Sequence, residues 1–111
     1  MVVDMNSDTP LVCNMNVFTP AERENHIRTT IRLFQAVQEI HEAENGFEFI
    51  FPNDSEMITR LAKFITNERL CCPFLEFVLR ITQNDEPISL TLTGPEGTQE
   101  FLREEFSEAF A

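Results

Sequence analysis

Two adjacent cysteines, Cys71 and Cys72, are the residues of this chain best suited to chemistry. Side by side, two thiols can clamp a single soft ion. A disulfide between them would be strained, because neighbouring α-carbons lie about 3.8 Å apart and disulfides usually span roughly 4.4 Å or more. Glu68 stands three residues before Cys71 and four before Cys72, so on a helix its carboxylate lies over both. It also continues the apolar stripe Leu61–Ile65–Glu68–Cys72, where a carboxylate is costly without a partner. Either an arginine pairs with it or it belongs to a polar site with the thiols. Cys13, His26 and His41 complete the soft ligands.

Plainer readings stand beside this one. Free cysteine is among the most buried residue types and behaves as a small hydrophobe, so the pair also reads as core. A nucleophile is the weaker reading: the pair ends a helix, whose negative pole raises a thiol's pKa, and Glu68 adds to that. The same field favours a bound cation. No second Cys-x-x-Cys or His-x-x-x-His pair supplies a zinc signature. A lone histidine beside an apolar stripe, as His26 is, is ordinarily hydrogen-bonded or solvated. Cys13, in an irregular leader, could fold back toward either helix. The corner Gly94-Pro95-Glu96-Gly97 lacks the spacing of a phosphate loop and reads as a strand-to-helix turn.

The elements that must position these residues follow from local patterning. Residues 1–18 read as the leader. Thr19 is an N-cap with Pro20 at N1 and Glu22 at N3, a capping box. Ile27, Ile31, Phe34, Val37 and Ile40 then predict a helix to about residue 44, stopped by a left-handed cap at Asn45–Gly46. Phe47, Phe49 and Phe51 alternate as a half-buried strand. Asn53, Asp54 and Ser55 cap a second helix whose stripe runs from Met57 through Leu61 and Phe64 to Leu70 and the cysteines, ended by Pro73. A strand over 74–82, a turn, and a return strand with Ile88, Leu90 and Leu92 lead to a last helix carrying Phe101, Leu102, Phe106 and Phe110. The expectation is an α+β domain over 19–111, in the order α-β-α-β-β-α, with a three-stranded antiparallel sheet and helices on one face.

Composition narrows the partners. The 111 residues hold one domain, and a 42% hydrophobic fraction suffices for a core. Eleven Phe with no Tyr or Trp are core mass rather than a base-stacking surface. A net charge of −11 opposes binding to nucleic acid or anionic membrane. The first ten residues do not read as a signal peptide, and no apolar run approaches the roughly 20 residues needed to span a bilayer. An odd number of cysteines argues for a reducing, cytoplasmic setting and against a disulfide framework.

The run Glu68-Arg69-Leu70-Cys71-Cys72-Pro73-Phe74-Leu75-Glu76-Phe77, followed by Leu92-Thr93-Gly94-Pro95-Glu96-Gly97, resembles a family of small bacterial proteins of unknown function. The pattern is E-R-x-C-C-P-F-x-x-F and then L-T-G-P-x-G. Cys13-Asn14, Glu22-Arg23-x-x-His26 and Gly46-Phe47-x-Phe49 are similar too, with Phe47 where an aromatic bearing a hydroxyl is common. The resemblance covers about residues 12–103. It singles out Cys13, Arg23, His26, Glu68, Cys71 and Cys72, and an association of similar segments with mercuric-resistance-type regulators implies a soft-metal role.

Three functions follow as expectations. The first is a small cytoplasmic protein that binds or senses a soft metal or metalloid through Cys71 and Cys72, with Cys13 or His26 completing the shell and Glu68 orienting it. The second is a non-enzymatic module that meets a protein partner and keeps its cysteines in the core. The third and weakest is a thiol-dependent redox protein, so an enzyme is disfavoured.

Overall fold

The computed structural model describes residues 11–83 and 85–110. The fold is α+β, with helices against one face of an antiparallel sheet. That sheet has four strands rather than three, and the elements run in a different order from the expected one. A 3-10 turn at Met15–Val17 precedes α1 (Pro20–Phe34). Then come β1 (Glu39–Ala43), β2 (Gly46–Phe51), α2 (Ser55–Cys71), β3 (Glu76–Arg80), β4 (Ile88–Thr93), α3 (Thr98–Glu105) and α4 (Ser107–Phe110).

The extra strand comes from the second half of the expected first helix. The capping box at Thr19 and Glu22 forms, but α1 stops at Phe34. Residues 39–43 instead pair antiparallel with β2, from Glu39 opposite Ile50 to Ala43 opposite Gly46. Asn45 is left-handed, with φ 57°, and it serves a two-residue hairpin turn rather than a helix cap. Ile40 fits a helical spacing from Val37, yet it sits opposite Phe49 in the ladder. Pairing with a strand that comes later in the chain overrides the local period. The face of α1 also differs by one residue from the expected stripe: His26, Leu33 and Phe34 are buried, whereas Ile27 is 46% exposed.

The sheet order is β1-β2-β4-β3, two hairpins joined through β2 and β4. Phe47, Phe49 and Phe51 on β2 and Ile88, Leu90 and Leu92 on β4 are buried on the helix side. Phe34 is the hub: its ring stacks on Phe106 at 4.3 Å and meets Phe49, Phe51 and Phe64 edge-on. Such pairs favour offset or edge contacts and add to plain burial. A Cβ on Gly46 would run into the Leu92 carbonyl oxygen, so glycine is what lets β2 and β4 close here. The expected last helix is broken at Phe106, which is buried with a non-helical backbone.

The second helix runs as expected. Asp54 caps it by accepting the Met57 N–H at 2.8 Å, and Cys72 is its C-cap. Its buried face is Met57, Leu61, Phe64, Glu68 and Cys71, spaced four, three, four and three residues apart. Leu70 is exposed rather than on that stripe.

Candidate metal and thiol site

The site is built where the leader, α1 and the end of α2 meet. A helix end leaves its last carbonyls unpaired. Here the Asn14 N–H donates to the Cys71 carbonyl at 2.7 Å, which pins the leader against α2. Asn14 also opens the 3-10 turn, and the Arg23 Nε–H donates to the Met15 carbonyl at 3.3 Å. Arg23 therefore steadies the backbone of the leader. These contacts place Cys13, whose direction the sequence left open, beside the cysteine pair.

Cys13 and Cys72 form a disulfide with a Cα–Cα distance of 4.5 Å, bridging 59 positions of sequence. This bond runs against the expectation of no disulfide framework, because the argument from an odd count could not see Cys13 fold back onto α2. No bond joins the vicinal pair: the Cys71 and Cys72 sulfurs are 3.7 Å apart. Cys71 is the free thiol and is fully buried, as is Cys72, while Cys13 is partly exposed.

Glu68 is the centre of the group and is only 2% exposed. Its Oε1 lies 2.8 Å from His26 Nε2 and 3.7 Å from Cys71 Sγ. Its Oε2 lies 3.2 Å from Cys72 Sγ and 3.9 Å from Cys13 Sγ. The buried carboxylate thus has its partner, and that partner is a histidine rather than an arginine; Arg69 points to solvent. Donor atoms of Cys13, Glu68, Cys71 and Cys72 all lie within 4.8 Å of one another. His26 does not join this group of donors. It stands behind Glu68, with its ring 5.2 Å from Phe18 and 6.1 Å from Phe64.

Burial pushes the Cys71 thiol up to about 12, and the nearby Glu68 charge adds to the effect. A thiol held neutral in this way is a poor nucleophile. Outside the pair, a cleft of about 170 Å³ reaches His26 and Glu68 between α1 and the α3–α4 corner, with Glu104, Glu105 and Glu108 on its rim. Burial, then Glu68, raises the Glu105 carboxyl above its usual range. Thr30 lines the same cleft, and its Oγ1 is the one buried side-chain oxygen or nitrogen without a hydrogen-bond partner among the described residues. Sequence reading missed both features. Thr30 was within reach, since it sits four residues after His26 on one helix face; the glutamates depend on the break at Phe106.

His41 is not part of this group; it is exposed on β1, between Glu39 and Glu48. Among the described residues no helix is long and apolar enough to cross a membrane. Compared with family models, with curated proteins and with solved structures, the chain gives no significant match.

Proposed function

We propose that the chain is a small binding or sensing protein whose reduced form holds one soft metal or metalloid ion on Cys13, Cys71 and Cys72. Glu68 is the fourth donor or the group that orients the thiolates, and His26 fixes Glu68. The observation that carries this reading is the spacing of the donors. Sulfurs bonded to one tetrahedral ion at about 2.3 Å sit about 3.8 Å apart. The Cys71–Cys72 separation is 3.7 Å, and the Glu68 oxygens lie 3.2–3.9 Å from the three sulfurs. The Cys13 and Cys72 sulfurs are bonded to each other, and reduction frees them. Soft thiolates select soft ions. A carboxylate at the negative end of α2 favours a cation there as well.

Elemental analysis of the reduced protein after incubation with Zn²⁺, Cd²⁺ or Hg²⁺ and dialysis, with free thiols counted alongside, tests the reading. One retained ion per chain that protects the thiols, and is lost in Cys71→Ser and Cys72→Ser, supports it. Thiols that react only on denaturation, with no ion retained, would make the cysteines core residues and favour a protein-interaction role for the acidic surface.

A further inference from the structure

The disulfide and the proposed ion use the same sulfurs. A sulfur in a disulfide has no thiolate to offer, so the two states exclude one another. We infer that a low-molecular-weight disulfide ejects the ion from this site, with Cys13 as the entry thiol and the Cys13–Cys72 bond as the product; this rests on the ion-binding reading above.

Access selects Cys13. Cys71 and Cys72 are fully buried, while Cys13 is partly exposed on the leader, so an external disulfide reaches Cys13 first. Its thiolate attacks one external sulfur; a Cys13–external mixed disulfide forms, and the other half leaves as a thiolate that takes a proton. The Cys72 thiolate then attacks the Cys13 sulfur and releases the second half, which also takes a proton. Two protein thiolates are oxidised, one external disulfide is reduced to two thiols, and a divalent ion departs with the charge those thiolates had balanced. The Cys71 thiolate, left without the ion, takes a proton as well, so three protons are consumed.

Geometry selects Cys72 over Cys71 as the resolving thiol. Cys72 is the residue in bonding contact with Cys13, whereas the Cys71 thiol donates to the Glu68 carbonyl at 3.6 Å. Residues 13–15 do not depend on the disulfide for their position, because the Asn14 N–H to Cys71 carbonyl bond and the Arg23 to Met15 carbonyl bond also hold them. Reduction therefore leaves the sulfurs adjacent and the site ready to reload. Glu68 works in the same direction. Its Oε2 faces Cys72 at 3.2 Å and Cys13 at 3.9 Å. Thiols there donate S–H to Oε2; disulfide sulfurs carry no proton, so oxidation strips this one buried oxygen of its thiol donors.

The test loads reduced full-length protein with Cd²⁺, adds oxidised glutathione, follows released Cd²⁺ with a chromophoric chelator, and maps the cysteines by alkylation and mass spectrometry. The expected result is loss of the bound ion in step with a Cys13–Cys72 disulfide, Cys71 alone being alkylated once the chain is denatured, and reloading after reduction. Cys71→Ala still forms that bond, whereas Cys13→Ala, if it loads, releases its ion about tenfold more slowly. An ion that stays bound, a Cys71–Cys72 bond, or a stable glutathione adduct on Cys13 with Cd²⁺ retained would overturn the inference alone. Reduced protein that never takes up Cd²⁺ would instead remove the ion-binding reading, and this inference with it.

Discussion

The chain has two histidines, and each touches glutamate, yet the two places differ in almost every consequence. His26 Nε2 lies 2.8 Å from Glu68, with the two side chains 5% and 3% exposed. His41 bridges Glu48 at 3.2 Å and Glu39 at 3.0 Å, but its side chain is 54% exposed. The hydrogen bond to Glu48, then that to Glu39, raises the His41 pKa. The Ser89 hydroxyl, donating at 2.6 Å, and then His41 lower that of Glu48. The contact distances are similar; the surroundings are not. Water screens the sheet-face cluster and replaces any bond it loses. The His26 bond is sheltered beside Phe18 and Phe64, and the group it holds is the carboxylate that faces three sulfurs. The burial of a contact, more than its length, sets what it can do.

The sharpest way to break this comparison is to delete each histidine in turn. His26→Ala leaves Glu68 buried without its donor and opens a void, so it should cost about 3 kcal/mol in a urea titration. His41→Ala should leave the urea midpoint unchanged. Equal effects would mean that burial does not separate the two clusters. Next in size, Glu68→Gln keeps the shape of the site but removes its charge, and Cd²⁺ affinity of the reduced protein should fall about 10–100-fold. Glu48→Gln should leave that affinity untouched.

A smaller effect is expected at alkaline pH. Cys71 has its pKa raised from 9.0 to about 12, so the folded state keeps a proton that the unfolded chain gives up. Stability from this group is complete below pH 9.0 and is lost as pH rises toward 12. Cys71→Ala should flatten that alkaline decline in thermal melts. The smallest effect belongs to the sheet face. The raised His41 pKa gives stability that is complete below 6.5 and is lost as pH rises through its folded value. The lowered Glu48 pKa gives stability that is present above 4.5 and is lost as pH falls through its folded value. Both contributions are present between pH 4.5 and 6.5, and salt should erase them. A salt-resistant pH dependence that survives Glu48→Gln would place its origin elsewhere.

How much of this was legible in the sequence depends on how local each signal is. The caps at Thr19 and Asp54, the alternation through Phe47–Phe51 and Ile88–Leu92, and the position of Glu68 on the buried face of α2 were all readable, because each is written in neighbouring residues. Residues 39–43 were misread as helix because Ile40 satisfies either period, and the strand that claims it lies beyond the turn at Asn45. His26 and Ile27 exchanged places because a one-residue rotation of an α-helix is about 100°. Cys13 was recognised as a ligand type but not as a neighbour of Cys72. Its place is set by the bonds from Asn14 to the last turn of α2 and from Arg23 to Met15, for which the sequence has no periodic signal.

X-ray absorption at the cadmium edge, on reduced protein loaded with one equivalent of Cd²⁺, tests the central claim most directly. The account predicts a shell dominated by sulfur from Cys13, Cys71 and Cys72. A shell of oxygen and nitrogen alone would contradict it and place the ion on the acidic surface instead.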